Sequence, residues 1–339
     1  MSEQVHVLCA EQLDAAQVAR LRGVSDRLVV EARPVKTGAE LEQVFTPQTE
    51  VLYADQVDFD PQRAPGLRWL QVPFAGVDNL QRLPIWQSSL QITSANGVHA
   101  IQIGEYVLMT ILAHMHCLPQ MQRLQWDKTW ARAEQRAALM PTELRGAVLG
   151  IIGYGAIGRE VARLGASFGM RILATQRTPE AQHFNGWTPQ GTGDPDGSLP
   201  ERYYPLTELH AFLQACDVVL LALPLTPTTR HIIGTSELAA MRPDALLVNI
   251  GRGGLIDQAA LEEALAHKTL GGAALDVTDP EPLTPTSPLW SMPNVIITPH
   301  IAGMTQSYTE RVLDLFTENL RRYLDGQPLL NVVERQLGY

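Results

Sequence analysis

The chain has 339 residues, 45% hydrophobic and 18% charged, which is more than one domain usually holds, so two domains with sizeable cores are expected. A net charge of −10, a pI near 5.4 and the lack of any long basic run argue against a nucleic-acid partner, because phosphate binding needs clustered lysine and arginine. Three scattered cysteines (Cys9, Cys117, Cys216), no signal-like N-terminus and no uninterrupted apolar span lead us to expect a soluble cytoplasmic protein that neither spans nor docks on a membrane.

In chain order, residues 5–9, 28–30, 51–53, 69–72 and 91–93 read as strands, with a helix over 13–22. That rhythm suggests a small α/β domain. A long helix follows over 100–121, apolar enough to be covered on both flanks. A second strand–helix series starts at Val148. Residues 148–152 form a strand, and the next helix places Ile157, Val161, Leu164 and Phe168 on one buried face. Gly169 stops that helix. Strands over 170–175, 218–223, 246–250, 272–275 and 295–298 alternate with helices over 206–215, 235–240 and 258–267. Alternation of this kind requires a parallel sheet with right-handed crossovers. A last helix over 307–324 could return to the first domain, which would make that domain discontinuous.

Residues 179–205 break the pattern, with five prolines and four glycines and no periodicity. The stretch reads as a mobile surface insertion, with a functional lid as the alternative, near the adenosine end of any dinucleotide.

Gly153-Tyr154-Gly155-Ala156-Ile157-Gly158 lies between a buried strand and an amphipathic helix, the context in which such glycines bind a dinucleotide. The first allows a tight turn, the second lets backbone approach a pyrophosphate, and the third lets helix and strand pack closely. At the end of the next strand the usual ribose-binding acid is replaced by Gln176, followed by Arg177. Without a carboxylate a 2′-phosphate is not repelled, and the guanidinium can pair with it. This favours NADP, with NAD the alternative if Gln176 merely bonds a ribose hydroxyl.

Three short contexts in the last ninety residues carry an arginine, a glutamate and a histidine: Asn249-Ile250-Gly251-Arg252-Gly253-Gly254, Asp279-Pro280-Glu281-Pro282 and Thr298-Pro299-His300-Ile301-Ala302-Gly303. Arg252 follows a strand whose C-terminal end should face the cofactor, where a fixed guanidinium can clamp a carboxylate and polarise the adjacent carbonyl. His300 titrates in a range suited to proton exchange. Glu281, if bonded to that ring, would orient it and raise its pKa. His114, His116 and Cys117 resemble metal ligands, but residues two apart on a helix do not face one way, and no metal site is read. His99 is expected to cap or bond locally. Trp126 and Trp130 are expected in core or interface packing, the alternative being a reach into a partner's cleft.

With these residues the chain resembles the D-isomer-specific 2-hydroxyacid dehydrogenase family over nearly its whole length. The match includes Phe74-Ala75-Gly76-Val77-Asp78, Thr93-Ser94-Ala95-Asn96-Gly97-Val98-His99-Ala100, the glycine turn and the three C-terminal motifs. The resemblance implies a Rossmann-type doubly wound parallel sheet, residues 99–303, inserted into a smaller flavodoxin-like α/β substrate domain, residues 1–98 and 304–339. It also implies an active site in the cleft between them and a homodimer built on nucleotide-domain surfaces. His300 would be acid/base, assisted by Glu281, with Arg252 on the substrate carboxylate. Backbone of Ala75, Gly76 and Val77 would take the carboxylate's other side. The implied cofactor set adds Pro224, Ile250, Gly251, Asp276 (at the nicotinamide carboxamide), His300 and Gly303 to Gly153, Gly155, Ala156, Ile157, Gly158, Gln176 and Arg177.

Within that family, formate dehydrogenases carry glutamine where this chain has Glu281, which argues against formate. Phosphoglycerate dehydrogenases often add a regulatory domain, and the chain ends soon after its last helix, which weakens that identity. The expected reaction is the interconversion of a small 2-oxo acid and its D-2-hydroxy acid, of the glyoxylate or hydroxypyruvate type. Tyr53 and Phe74 are the expected pocket-shaping side chains. The alternative is a dinucleotide-binding scaffold or corepressor-like protein with little turnover.

Overall fold

The computed structural model describes residues 4–178, 180 and 182–338. Contacts divide them into two units, one formed by the chain up to Val98 with Asn185–Pro189 and the chain from Thr305, the other by His99–Phe184 and Gln190–Met304.

The first unit is built on β1 (Val5–Cys9), α1 (Ala15–Arg22), β2 (Leu28–Ala32), α2 (Gly38–Val44), β3 (Thr49–Tyr53), β4 (Trp69–Gln71) and β5 (Gln91–Thr93). Its strands are all parallel in the order β2-β1-β3-β4-β5, the flavodoxin-like arrangement. Asp14 caps α1 with a complete capping box, its side chain accepting from the Gln17 N–H. Helix α2 was not read from the sequence. Thr37 accepts from the Glu40 N–H as its N-cap, so the Thr-x-x-Glu signal was present.

In the second unit, α3 (Ala100–Met115), α4 (Leu118–Trp126) and α5 (Ala133–Ala138) precede β6 (Val148–Ile152) and α6 (Ala156–Ser167). Then come β7 (Arg171–Thr175), β8 (Arg202–Tyr204), α7 (Leu209–Gln214), β9 (Val218–Leu221), α8 (Thr235–Ala240), β10 (Leu246–Asn249), α9 (Gln258–Ala266), β11 (Gly272–Leu275) and β12 (Val295–Ile297). The seven strands run parallel in the order β12-β11-β10-β9-β6-β7-β8. The order reverses between β6 and β9, the crevice where open α/β sheets bind ligands. Fully buried strands β6, β9, β10 and β11 explain the near-continuous apolar runs. The chain closes with α10 (Tyr308–Leu324) in the first unit, where Phe316 stacks on Tyr53 at 5.0 Å.

Four sequence expectations are corrected. The helix over 100–121 is two helices, because Cys117 adopts a left-handed conformation (φ 53°) and Pro119 starts the next helix. Helix α4 has no buried residue, so its flanks are not covered. Phe168 is exposed rather than buried, as the C-cap of α6. Gly169 beyond it (φ 78°) completes a Schellman closure, with the Met170 N–H donating to Gly165 O and the Gly169 N–H to Ala166 O. The 179–205 stretch contains a strand, β8, and its described part is anchored rather than loose. No helix among the described residues is long and apolar enough to cross a membrane.

Candidate active site

Arginine, glutamate and histidine sit just past the C-terminal ends of β10, β11 and β12. Asn249, fully buried at the end of β10, accepts from the Gly251 N–H at 3.0 Å and donates to Arg252 O at 2.9 Å. A buried amide must find partners, and here it finds them by folding the next three residues into a fixed turn. Arg252 Nη1 donates to Gly251 O at 3.0 Å, which ties its guanidinium to the same turn. Gly253 then lies directly against the next loop. A Cβ there would stand 2.0 Å from Thr278 O and 2.7 Å from Asp279 N, so only glycine lets the two loops touch.

That second loop delivers Glu281, fixed between two prolines. His300 Nδ1 lies 2.6 Å from Glu281 Oε1, with both side chains about half exposed. A carboxylate only accepts, so Nδ1 carries the hydrogen in this pair and Nε2 is the ring nitrogen that the pair leaves over. His300 itself has φ 53°, a conformation that side chains other than glycine seldom adopt and that collects at functional sites.

Asp276 holds that conformation. Its buried carboxylate accepts from the Ile301 N–H (2.9 Å), the Ala302 N–H (2.9 Å) and Thr298 Oγ1 (2.6 Å), and its carbonyl accepts from the His300 N–H (2.9 Å). Since Thr298 donates to the carboxylate, Tyr106 OH, 2.7 Å away, donates to Thr298. Burial pushes the Tyr106 phenol up to about 12, which keeps it a donor. Gly303 O accepts from Gln102 Nε2 at 2.7 Å, with His99 Nδ1 at 3.0 Å.

At the crevice between β6 and β9, Gly153 has φ 100° and a Cβ on it would lie 2.6 Å from Ala222 O. Gly158 is pressed as closely against Gly153 O. At Gly155, the N-cap of α6, a Cβ would meet nothing within 4 Å. Two glycines are thus packed tight and the middle one faces open space at a helix N-terminus. That is the shape a dinucleotide pyrophosphate requires.

A family model described as D-isomer specific 2-hydroxyacid dehydrogenase, NAD binding domain, matches residues 108–302, more than half of the chain. The chain belongs to the D-isomer-specific 2-hydroxyacid dehydrogenase family. It is 34% identical to an (S)-sulfolactate dehydrogenase of Chromohalobacter salexigens over 94% of this chain and 98% of that one. It is 33% identical to a glyoxylate reductase of Aeropyrum pernix over 84% and 82%. Among solved structures, an NADPH-dependent glyoxylate/hydroxypyruvate reductase from Sinorhizobium meliloti, in complex with NADP and sulfate, aligns at a TM-score of 0.76 with 27% identity, covering 99% of this chain and 100% of that one. A D-isomer specific 2-hydroxyacid dehydrogenase family protein from Aeromonas salmonicida aligns at 0.74 with 29% identity, covering 98% and 100%. The protein is therefore a D-2-hydroxyacid dehydrogenase, an oxidoreductase that uses a nicotinamide dinucleotide.

In this dehydrogenase the remaining predicted residues are placed as follows. Ala156 and Ile157 open α6, and Pro224 O accepts from Thr229 Oγ1 in the turn after β9. Ile250 is buried and Gly251 half-buried. Gln176 donates to Thr178 O at 2.9 Å, and Arg177 is exposed past the end of β7. In the first unit Val77 is buried, Ala75 partly so, and Gly76 exposed. Tyr53 is a correction: its ring is packed in the core on Phe316, because the strand turns that face inward. His99 makes no capping bond to α3, but its Nδ1 does bond locally, 3.1 Å from Gln102 Nε2, and also lies 3.0 Å from Gly303 O, 204 residues away. Trp126 and Trp130 lie outside the core, 75% and 91% exposed. Among the described residues no group of three His, Cys, Asp or Glu is placed to hold a metal ion. His114 is partly buried, and burial lowers its pKa.

Sequence reasoning gave no role to Asn249, Thr298 or Tyr106. Asn249 had a legible signal, a polar residue closing a wholly apolar strand. The Tyr106–Thr298 bond spans 192 residues and had none.

Proposed function

We propose that the enzyme reduces a small 2-oxo acid to its D-2-hydroxy acid, with His300 as acid/base, Glu281 orienting it and Arg252 binding the substrate carboxylate. The 2.6 Å pair between His300 Nδ1 and Glu281 carries this reading. The bound nicotinamide supplies the hydride in reduction and takes it in oxidation. Nε2 of His300 gives its proton to the 2-oxo oxygen in reduction and recovers it in oxidation. Glu281 stabilises the imidazolium between those states. Arg252 holds the carboxylate and polarises the adjacent carbonyl, and backbone of Ala75, Gly76 and Val77 is the proposed second carboxylate contact.

The residues past β7 support NADP over NAD, since Gln176 stands where the usual ribose-binding acid would repel a 2′-phosphate and the cationic Arg177 follows it. We assign substrate binding to residues 1–98 and 304–339 and dinucleotide binding to 99–303. Exposed Trp126, Trp130, Met121 and Met140 beside the apolar hollow of Leu124 and Leu139 support a homodimer seated on α4 and α5. The free thiols of Cys9 and Cys216, both buried, suit a reducing cytoplasm.

A panel of 2-oxo acids assayed with NADPH and NADH tests the proposal. Arg252→Ala and His300→Ala should each nearly abolish turnover, and activity surviving either change would sink the assignment. Arg177→Ala should weaken NADPH more than NADH, and equal effects would remove the 2′-phosphate argument. No turnover across the whole panel would favour the scaffold reading.

A further inference from the structure

The long insertion after β7 is fastened to the glycine turn at the residue that follows it. Arg159, one position beyond Gly158, is 2% exposed. Its Nε donates to Tyr154 O at 3.1 Å, Nη1 to Asp194 O, and Nη2 to Gln182 O at 2.6 Å. One guanidinium therefore spans the glycine turn and two points of the insertion. Its plane also lies over the rings of Tyr154 (4.7 Å) and Phe184 (5.2 Å).

Asp194, 5% exposed, returns the contact. Its Oδ2 accepts from Tyr154 OH at 2.7 Å and the Leu199 N–H at 3.0 Å, and its Oδ1 from the Ser198 N–H at 3.1 Å. Glu160, 1% exposed, accepts from the Gly193 N–H at 2.7 Å and pairs with Arg163. Burying these charges is unfavourable unless their hydrogen-bonding groups are met, and here the insertion backbone meets them.

Tyr154 is the one residue between Gly153 and Gly155 that has a side chain. Glycines leave a turn free to take many conformations. Both ends of Tyr154, its carbonyl and its hydroxyl, are held by Arg159 and Asp194. We propose that the insertion is a brace for the dinucleotide turn, with Arg159 and Asp194 as positioning residues that hold residues 153–155 in the receiving conformation. This rests on the dinucleotide reading of the turn. Ordering the turn in advance removes a cost that binding would otherwise bear.

Hydrogen–deuterium exchange on the cofactor-free protein tests the brace directly. In Asp194→Ala, amides of 153–158 should exchange about tenfold faster together with those of 182–199, while β10 and β11 keep their rates. The NADPH dissociation constant, read by fluorescence, and its KM should rise roughly tenfold, with kcat at saturating NADPH retained. Tyr154→Phe, which deletes one hydroxyl, should show the same pattern at smaller amplitude and serves if Asp194→Ala does not fold. Faster exchange confined to 182–199, or an unchanged NADPH affinity in a protein whose turn has loosened, would overturn the proposal. If the unaltered protein binds neither NADPH nor NADH, the functional reading fails, and the exchange experiment still decides whether the insertion braces the turn.

Discussion

The His300 loop and the insertion after β7 are both irregular, and each is pinned by one buried aspartate that gathers several donors. Asp276 gathers two N–H groups and a hydroxyl, and Asp194 two N–H groups and two hydroxyls. The difference is where the aspartate sits. Asp276 directly follows a core strand, so the sheet fixes the carboxylate and the carboxylate fixes the loop. Asp194 belongs to the segment it organises and is itself held through Arg159 on α6. Loops held by a strand end keep one residue in a demanding conformation. Loops that hold themselves against a helix transmit order to whatever that helix begins.

Asp276→Asn separates the two designs most sharply. It places an amide N–H against the donors of Ile301 or Ala302, so kcat/KM should fall on the order of 10²–10³-fold, with about 2 kcal/mol lost in urea unfolding. Near-normal turnover would mean the loop holds His300 without the carboxylate. Glu281→Gln leaves the backbone clamp intact and changes only what faces Nδ1. A drop of roughly 10²-fold in kcat at near-constant KM would show that backbone placement alone is insufficient.

On the insertion side, Glu160→Gln weakens the Gly193 and Arg163 contacts. The expected loss is about 1–2 kcal/mol in urea unfolding, with kcat little changed. A collapse in kcat would contradict the contrast between the two loops.

Glu11 shows a carboxylate given too few donors. Its Oε1 accepts from the Asp55 N–H at 2.6 Å, but burial and the Asp55 side chain push its pKa up to about 7. The folded state then binds a proton that the unfolded chain releases near 4.5. That contribution is full below about pH 4.5 and is lost as pH rises toward 7. Glu11→Gln should flatten this part of the stability–pH profile, and an unchanged slope would refute the assignment.

What the sequence made legible was what periodicity and strand-end context can carry. The β6–Gly153–α6 unit and the positions of Arg252, Glu281 and His300 past strand ends were read because buried parallel strands are short apolar runs with glycine or proline beyond them. The break at Cys117 was missed because α3 and α4 share one apolar rhythm, and only Pro119 marked the boundary. Strand β8 was missed because an edge strand of three residues, Arg202, Tyr203 and Tyr204, is too short to show alternation. Asp194 lies in Gly-Asp-Pro-Asp-Gly, which reads as solvent-facing turn. Its burial depends on Arg159, 35 residues earlier, and nothing local announces such a pairing.

Gly253 ties the proposed catalytic parts together more tightly than their sequence separation suggests. With no room for even a methyl group between it and the Thr278 backbone, the loop bearing Arg252 cannot shift without carrying the loop bearing Glu281. Under the proposed roles, acid recognition and proton handling behave as one rigid casting. On that proposal, moving Arg252 to widen the substrate range would also disturb the Glu281 loop and, through the Glu281 pair, His300.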